Sequence, residues 1–161
     1  MSEPLWLGWA SAGDPPRLAA LEADCYTHPW TLRQFAEELG QSPSGAVLVL
    51  RSPRLAHRWG DVRAYCIYRL VVDEMHILNV AVAPPCRRRG LARWLLRFAM
   101  ARAARAGARR GLLEVREGNL EARALYHGLG FETIGRRPFY YSQPPEDAVV
   151  LALEALPSGQ P

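Results

Sequence analysis

The sequence has 161 residues, a length that fits one domain and is too short for two ordinary ones, and its 49% of hydrophobic residues excludes an intrinsically disordered chain. Its three cysteines include no C-x-x-C pair, and no apolar run reaches the roughly 18–20 residues of a membrane span, which argues against a zinc site, a disulfide scaffold and a transmembrane helix. Twenty arginines, no lysine and sixteen acidic residues give a net charge of +4, and we predict a cytoplasmic protein without a metal.

Hydrophobic periodicity divides the sequence into strand, two helices, three strands, helix, strand, helix and two strands. The predicted strands cover residues 5–10, 46–50, 62–72, 75–82, 111–116, 131–135 and 148–154. The predicted helices cover residues 17–25, 32–39, 90–106 and 119–129. This order predicts an α/β fold with a mostly antiparallel first half and a parallel crossover behind it. We expect a single domain over residues 1–156 and a disordered tail over residues 157–161.

Local signals mark the ends of the first elements. Asp14 is the expected N-cap of the first helix, because prolines follow it in the first turn. Thr31 is the expected N-cap of the second helix, which Gly40 ends. The near-continuous apolar run over residues 75–82 is typical of a strand that is covered on both faces.

The segment from Arg87 to Arg110 contains nine arginines and no acidic residue. Its helix has a predicted core stripe of Leu91, Leu95 and Phe98, spaced i, i+4 and i+7. Arg102 continues this apolar stripe, and the sequence offers no reason for it. A segment of this charge favours an anionic partner such as a phosphate, a nucleic acid or a membrane surface.

The junction between the strand at residues 79–82 and this helix is a basic loop that contains Gly90. Backbone amides at a helix N-terminus are unpaired donors at the positive end of the helix dipole, so a pyrophosphate binds there and flanking arginines add charge. Gly90 and Ala92 are small, as a close approach of the backbone to a phosphate requires. The loop has neither the P-loop pattern nor the G-x-G-x-x-G dinucleotide pattern. We therefore predict a diphosphate site at Arg87–Ala92.

The pattern Arg87-x-x-Gly90-x-Ala92 after an apolar strand resembles the acetyl-CoA loop of the GNAT acetyltransferases. The similarity extends over most of the chain and is greatest for the branch that acetylates the N-terminal amine of a ribosomal protein. It also rests on His28-Pro29-Trp30 with Phe35, Glu74 through Val82, Leu113 through Arg116 with Asn119, Ala124-Leu125-Tyr126 with Leu129-Gly130-Phe131, Arg136-Arg137 with Tyr140-Tyr141, and Glu146-Asp147-Ala148. Two residues depart from the family pattern: Ala92 replaces a more usual glycine, and Cys86 stands where a bulkier residue is common.

The resemblance implies the GNAT fold, a mixed α/β sheet with a splayed parallel strand pair that holds acetyl-CoA and about four flanking helices. It implies direct acetyl transfer, with Glu114 as general base through water and Tyr126 as general acid. The implied cofactor-binding residues are Val80, Ala81, Val82, Arg87, Arg88, Arg89, Gly90, Leu91, Ala92, Asn119 and Tyr126. The implied acceptor-binding residues are Tyr26, His28, Trp30, Glu74, His76, Tyr140 and Tyr141, with the two last tyrosines on the loop between the final strands. The implied partner is the N-terminus of a small-subunit ribosomal protein, bound by a monomer or weak dimer without metal or membrane.

Elementary chemistry is consistent with these roles. Asn119 and Tyr126 are seven residues apart, so both face the same side of a helix. Glu114 lies in an otherwise apolar strand, where an unpaired carboxylate would be costly. An α-amine has a pKa of about 8 and a lysine amine of about 10.4, so deprotonating the α-amine at neutral pH costs roughly 3 kcal/mol less.

Several alternatives remain open at this level. Glu114 could form a structural ion pair, and Tyr126 could be a core aromatic residue. His76 could be the base, because it lies with Glu74 on the strand face where other branches of the resembled family place a glutamate base, or it could be a structural histidine of the sheet. Cys86 beside the arginines could be an activated thiol or simple packing. The aromatic acceptor residues could belong to the core. The acceptor could instead be a lysine or a small-molecule amine, and the arginine-rich segment could be an RNA-binding module or an auxiliary RNA surface.

Overall fold

The computed structural model describes residues 4–41, 44–53 and 58–157, and within these residues seven strands and four α-helices follow one another in the predicted order. The strands are β1 (Trp6–Trp9), β2 (Gly45–Arg51), β3 (Val62–Val71), β4 (Glu74–Val82), β5 (Arg110–Arg116), β6 (Glu132–Ser142) and β7 (Pro145–Leu153). The helices are α1 (Pro15–Cys25), α2 (Leu32–Leu39), α3 (Leu91–Arg105) and α4 (Leu120–His127), with a short 3-10 turn at Pro84–Cys86. None of the helices in these described ranges is long and apolar enough to cross a bilayer. Residues 158–161 of the predicted tail lie outside the description.

The strands form one sheet in the order β1-β2-β3-β4-β5-β7-β6. The pairs β1–β2, β2–β3, β5–β7 and β6–β7 are antiparallel. The pair β4–β5 is parallel, from Glu74 opposite Arg110 to Ile77 opposite Leu113, and α3 supplies the crossover that a parallel pair needs. The mixed α/β fold predicted from the element order is confirmed.

The chain divides into two compact units, and the first comprises residues 1–69 and 79–96. Its core joins Leu18 and Leu21 of α1 and Phe35 of α2 to the inner residues of β2 and β3. The ring of Phe35 meets the ring of Tyr65 edge-on, with centroids 5.6 Å apart. This core supports the loop between α1 and α2 and the end of β4.

The second unit comprises residues 70–78 and 97–161. Leu113 and Val115 of β5, Leu151 of β7 and Phe131 before β6 are buried. Gly111 lies against the ring of Phe131, where an added Cβ would come within 3.2 Å of a ring atom. Side chains that alternate with Leu113 and Val115 on β5 are half-buried, and these include Glu114.

Both predicted N-cap positions are confirmed, but only one side chain caps its helix. Thr31 forms a full capping box with Gln34, whose backbone amide donates to the Thr31 hydroxyl at 3.3 Å. Asp14 is the N-cap residue of α1, but its side chain makes no hydrogen bond to the helix amides. Its carboxylate instead accepts from Ser11 and Arg51. A charged partner competes successfully with the helix amides because charge-assisted hydrogen bonds are stronger.

Two predicted core assignments also need correction. β4 alternates between buried and accessible residues, and Leu78 is 36% exposed, so the expectation of cover on both faces is wrong. In the predicted stripe of α3, Leu95 is fully buried, whereas Leu91 and Phe98 are half-buried. The buried side of α3 is wider than this stripe, because Leu96, Ala99, Met100 and Ala103 are buried as well. Arg102 is exposed and does not continue the buried side.

The last third of the chain has longer strands than predicted. β6 continues to Ser142 and β7 begins at Pro145, so Tyr140 and Tyr141 lie in a strand and not in a loop. The register of β6 on β7 shifts between Arg137 and Tyr141. Asn119 is the N-cap of α4, which begins at Leu120, one residue later than predicted.

Candidate active site

The loop between β4 and α3 is exposed to solvent and rich in arginine. Arg87, Arg88, Arg89 and Gly90 are exposed, and the first turn of α3 holds no acidic residue. Gly90 has φ +76, a left-handed conformation that favours glycine, and an added Cβ would meet no atom within 4 Å. Arg88 also has positive φ, at 61. Three exposed arginines thus precede the first turn of α3, where a helix leaves backbone amides without an intrahelical partner.

The end of β4 leads into this loop with its backbone partly engaged. Ala81 is buried, and Val80 and Val82 are half-buried. The carbonyl of Val80 accepts from the Tyr26 hydroxyl, and the carbonyl of Val82 accepts from Arg87 Nε at 3.1 Å. The side chain of the first loop arginine is thus tied to the strand that precedes it. Leu91 and Ala92 are half-buried at the start of α3.

The loop between α1 and α2 contains three of the predicted acceptor residues. Tyr26 and His28 are exposed, whereas Trp30 is half-buried and packs on Phe35 with ring centroids 5.6 Å apart. The backbone amide of Trp30 donates to Glu22 Oε1 at 3.1 Å. Trp30 therefore contributes partly to the core, His28 is exposed, and Tyr26 is exposed with its hydroxyl bonded to Val80.

The two predicted catalytic residues occupy the second unit. Glu114 lies on β5, its side chain is 28% exposed, and its Oε1 is 3.1 Å from Arg137 Nε. Tyr126 lies on α4, is 8% exposed, and its ring meets the ring of Phe131 edge-on at 5.8 Å. The ion pair that the sequence left open for Glu114 is present, and its partner Arg137 was not among the predicted site residues. Arg137 on β6 lies opposite Ala148 of β7, so only the pairing of distant strands brings the two charges together.

His76 and Glu114 lie on the same face of the parallel strand pair. The register places His76 opposite Leu112, and Glu114 follows two residues later on β5. His76 Nε2 is 3.0 Å from Glu74 Oε2, and Glu74 Oε1 is 3.3 Å from Arg110 Nη1. The imidazole of His76 thus has a carboxylate partner within the sheet. This contact favours a structural role for His76 over a role as the base.

Tyr140 and Tyr141 form an aromatic pair beside Glu114. Their rings are edge-on with centroids 5.0 Å apart, and the guanidinium of Arg116 lies 4.1 Å from the Tyr141 ring centroid. Burial raises the pKa of Tyr141 to about 12, and the negative charges of Glu114 and Glu146 act in the same direction. The phenol of Tyr141 is therefore neutral at any physiological pH.

Arg116 joins the β6–β7 turn to the loop after β5. Its Nη1 is 3.1 Å from Glu146 Oε2, and its guanidinium donates to the carbonyls of residues 143 and 144. Glu146 Oε1 in turn accepts from the Gly118 amide at 2.6 Å, and this bond together with Arg116 lowers the pKa of Glu146. Arg116 was not among the predicted site residues. The signal was its position two residues after Glu114, which places both side chains on one strand face.

The predicted cofactor residue Asn119 uses its side-chain oxygen locally, since Oδ1 accepts from the Ala122 amide at 3.1 Å. Cys86 is buried in the 3-10 turn, which agrees with packing rather than with an exposed thiol. Among the described residues, no group of three His, Cys, Asp or Glu side chains is arranged to hold a metal ion.

Comparison with known proteins identifies relatives over nearly the whole chain. The model of the acetyltransferase (GNAT) family matches residues 16–131. The ribosomal protein bS18-alanine N-acetyltransferase of Escherichia coli K12 is 32% identical over 142 residues, covering 87% of this chain and 90% of the relative. The corresponding protein of Salmonella typhimurium is 34% identical over 145 residues, covering 89% and 93%. The crystal structure of the E. coli ribosomal-protein-S18-alanine N-acetyltransferase superposes with a TM-score of 0.83 at 30% identity over 97% of each chain. Ard1 from Thermoplasma volcanium shares the fold, with a TM-score of 0.83 at 22% identity.

Proposed function

Because the chain belongs to the acetyltransferase (GNAT) family and is an acetyl-CoA-dependent N-acetyltransferase, we propose that it acetylates the N-terminal α-amine of a ribosomal protein. The observation that carries the proposal is the similarity, over about nine tenths of both chains, to enzymes named for the alanine of bS18. The acceptor we propose is accordingly a bS18-type N-terminus that begins with alanine, modified in the cytoplasm.

The loop Arg87–Ala92 suits the pyrophosphate of coenzyme A. Arg88 and Arg89 are exposed beside the first turn of α3, and the space around Gly90 lets backbone amides approach an anion closely. Arg87 is held to Val82, so it orients the start of the loop. When bound, acetyl-CoA supplies the activated thioester, and the residues of this loop and of the end of β4 orient it.

Glu114 and Tyr126 carry the proton transfers in this proposal. Glu114 accepts, through a water molecule, the proton that the acceptor amine loses as its nitrogen bonds to the acetyl carbon. Tyr126 donates its phenolic proton to the sulfur as the carbon–sulfur bond breaks, which avoids expelling a free thiolate. The product is an N-acetylated peptide and free coenzyme A. A carboxylate acting through water is a weak base, which favours the less basic α-amine over a lysine amine.

The experiment offers the protein acetyl-CoA and a peptide that copies the alanine N-terminus of bS18 and contains an internal lysine. We expect a gain of one acetyl group, which fragmentation by mass spectrometry locates on the N-terminal nitrogen. The matched control is the same peptide with a blocked N-terminus, which is expected to gain nothing. Acetylation of the lysine only, or of spermidine and not the peptide, would replace this proposal with the lysine or small-amine alternative.

A further inference from the structure

One buried carboxylate in the first unit has no part in the proposed chemistry. Glu22 lies in the last turn of α1 and is 2% exposed. Burial raises the pKa of its carboxyl group, against the opposing effect of the hydrogen bonds it accepts from Tyr65, the Trp30 amide and Asn79. A buried carboxyl group is costly unless its oxygens are satisfied, so each of these bonds matters.

The three donors to Glu22 come from three different parts of the unit. Oε1 accepts from the backbone amide of Trp30 at 3.1 Å and from Asn79 Nδ2 at 3.0 Å. The hydroxyl of Tyr65 donates to Oε2. Since Tyr65 lies on β3 and Asn79 on β4, the carboxylate ties the α1–α2 loop to both strands.

The same loop has a second attachment to β4 at its other end. Tyr26 follows Glu22 by one helical turn, and its hydroxyl donates to the carbonyl of Val80, the residue after Asn79. The loop is therefore fastened at Tyr26 and at Trp30, and residues 27–29 between the two attachments are exposed. The attachment at Tyr26 is a surface contact, whereas the attachment at Trp30 is made through a buried group.

We propose that Glu22 is a positioning residue for the acceptor peptide: it holds the loop Tyr26–Thr31 on β3 and β4, so that His28 and Trp30 keep the arrangement that the acceptor meets. The inference rests on the proposed function in one respect, which is the assignment of this loop to the acceptor. Glu22 itself touches neither substrate. Its removal should consequently affect acceptor binding rather than the chemical step.

The primary test compares two substitutions of similar size. Glu22→Met removes every acceptor, whereas Glu22→Gln keeps one oxygen that accepts from the Trp30 amide and Asn79. We expect Glu22→Met to raise KM for the acceptor peptide about tenfold or more, as the loss of a bond to a charged group predicts. We expect kcat and the acetyl-CoA dissociation constant to stay within about twofold of wild type, since a positioning role affects binding only. In Glu22→Gln, KM for the acceptor peptide should stay close to the wild-type value.

Glu38→Met is the matched control. Glu38 is also a buried glutamate of the first unit, and it lies on α2, where it pairs with Arg69 of β3. Glu38→Met should lower the melting temperature as Glu22→Met does, but it should leave KM for the acceptor peptide unchanged. An equal rise of KM in both variants would reduce the effect to general destabilisation and overturn the proposal. If Glu22→Met fails to fold, Glu22→Asp, which keeps the charge and withdraws the oxygens by one methylene, should raise KM in the same direction.

A readout without substrate separates this inference from the proposed function. Hydrogen exchange at the Trp30 amide should accelerate in Glu22→Met, while the Gly40 amide, which donates to Ala36 in α2, should exchange as in wild type. Unchanged exchange at Trp30 would overturn the anchoring role even if peptide acetylation succeeds. If exchange at Trp30 accelerates in Glu22→Met but the wild type acetylates no peptide, the anchoring role of Glu22 stands. The assignment of the loop to an acceptor peptide is then rejected.

Discussion

At the residue scale, the carboxylate of Glu114 has two possible roles. It forms an ion pair with Arg137, and it is also the group that we propose as the general base. The Arg137 side chain is more than half exposed, and an ion pair of this kind contributes little to stability because solvent screens it. Stability alone therefore gives a weak reason for a glutamate between Leu113 and Val115. The charge of Glu114 also acts on Tyr141 and helps to raise the pKa of that phenol.

Glu114→Gln is expected to lower kcat/KM about 100-fold near neutral pH and to flatten the acidic limb of the pH–rate profile, because the amide cannot accept the proton. The measurement is kcat/KM across the neutral range with the alanine peptide, with the melting temperature recorded to exclude unfolding. His76→Gln is the matched control, since His76 lies on the same strand face. A flattened limb in His76→Gln with an unchanged limb in Glu114→Gln would assign the base to His76.

At the element scale, the start of α1 depends on a contact between distant parts of the chain. Asp14 is 1% exposed, and Arg51 at the end of β2 holds its carboxylate with Nη2 2.6 Å from Oδ2. Burial alone would raise the pKa of Asp14, but the hydrogen bonds from Arg51 and Ser11 and the charge of Arg51 outweigh it and lower the pKa below 3.8. The ionised form thus stabilises the fold. This contribution is complete above the ordinary pKa and disappears as the pH falls through the lowered pKa of the folded state.

Asp14→Asn is expected to reduce the free energy of unfolding by about 2 kcal/mol at neutral pH, since a buried charge-assisted pair is lost while Arg51 keeps its second partner Asp61. The difference from wild type should shrink as the pH falls below 3.8. Urea denaturation at neutral and acidic pH measures both values. Glu37→Gln, which breaks the exposed pair with Arg33, is the control and should cost at most about 0.5 kcal/mol. A difference that does not depend on pH would contradict the assignment.

The elements that the sequence predicted well are those whose signal is local. The order of strands and helices follows from hydrophobic period, and the capping box at Thr31 needs only Gln34 three residues later. The position of Asp14 as N-cap was predicted, but the partner of its side chain was missed because Arg51 lies 37 residues away. β6 was cut short because Gly135 and Pro138 are residues that weaken a strand, and its extension comes from pairing with β7. The Arg137 contact to Glu114 has the same non-local origin.

At the scale of the whole molecule, the use of arginine in place of lysine has a chemical consequence. A guanidinium group stays protonated and is no acceptor for an acetyl group, so no side chain among the 161 residues is a primary amine. Among the remaining side chains, thiols are strong nucleophiles toward thioesters, and they react as thiolates. Burial raises the pKa of Cys66 to about 12 and raises the pKa of Cys25, which keeps both thiols protonated at neutral pH.

We therefore expect the protein to gain at most one acetyl group, on its own α-amine, when it is incubated with excess acetyl-CoA at neutral pH and its intact mass is recorded. Arg33→Lys supplies the matched control, because Arg33 is an exposed residue of α2 whose only recorded ion pair among the described residues is with Glu37. An amine-specific acetylating reagent should add one more acetyl group to this variant than to the wild type, which shows that the assay detects a single amine. A gain of two or more groups by the wild type, mapped to a cysteine, would show that a thiol is more reactive than its burial predicts.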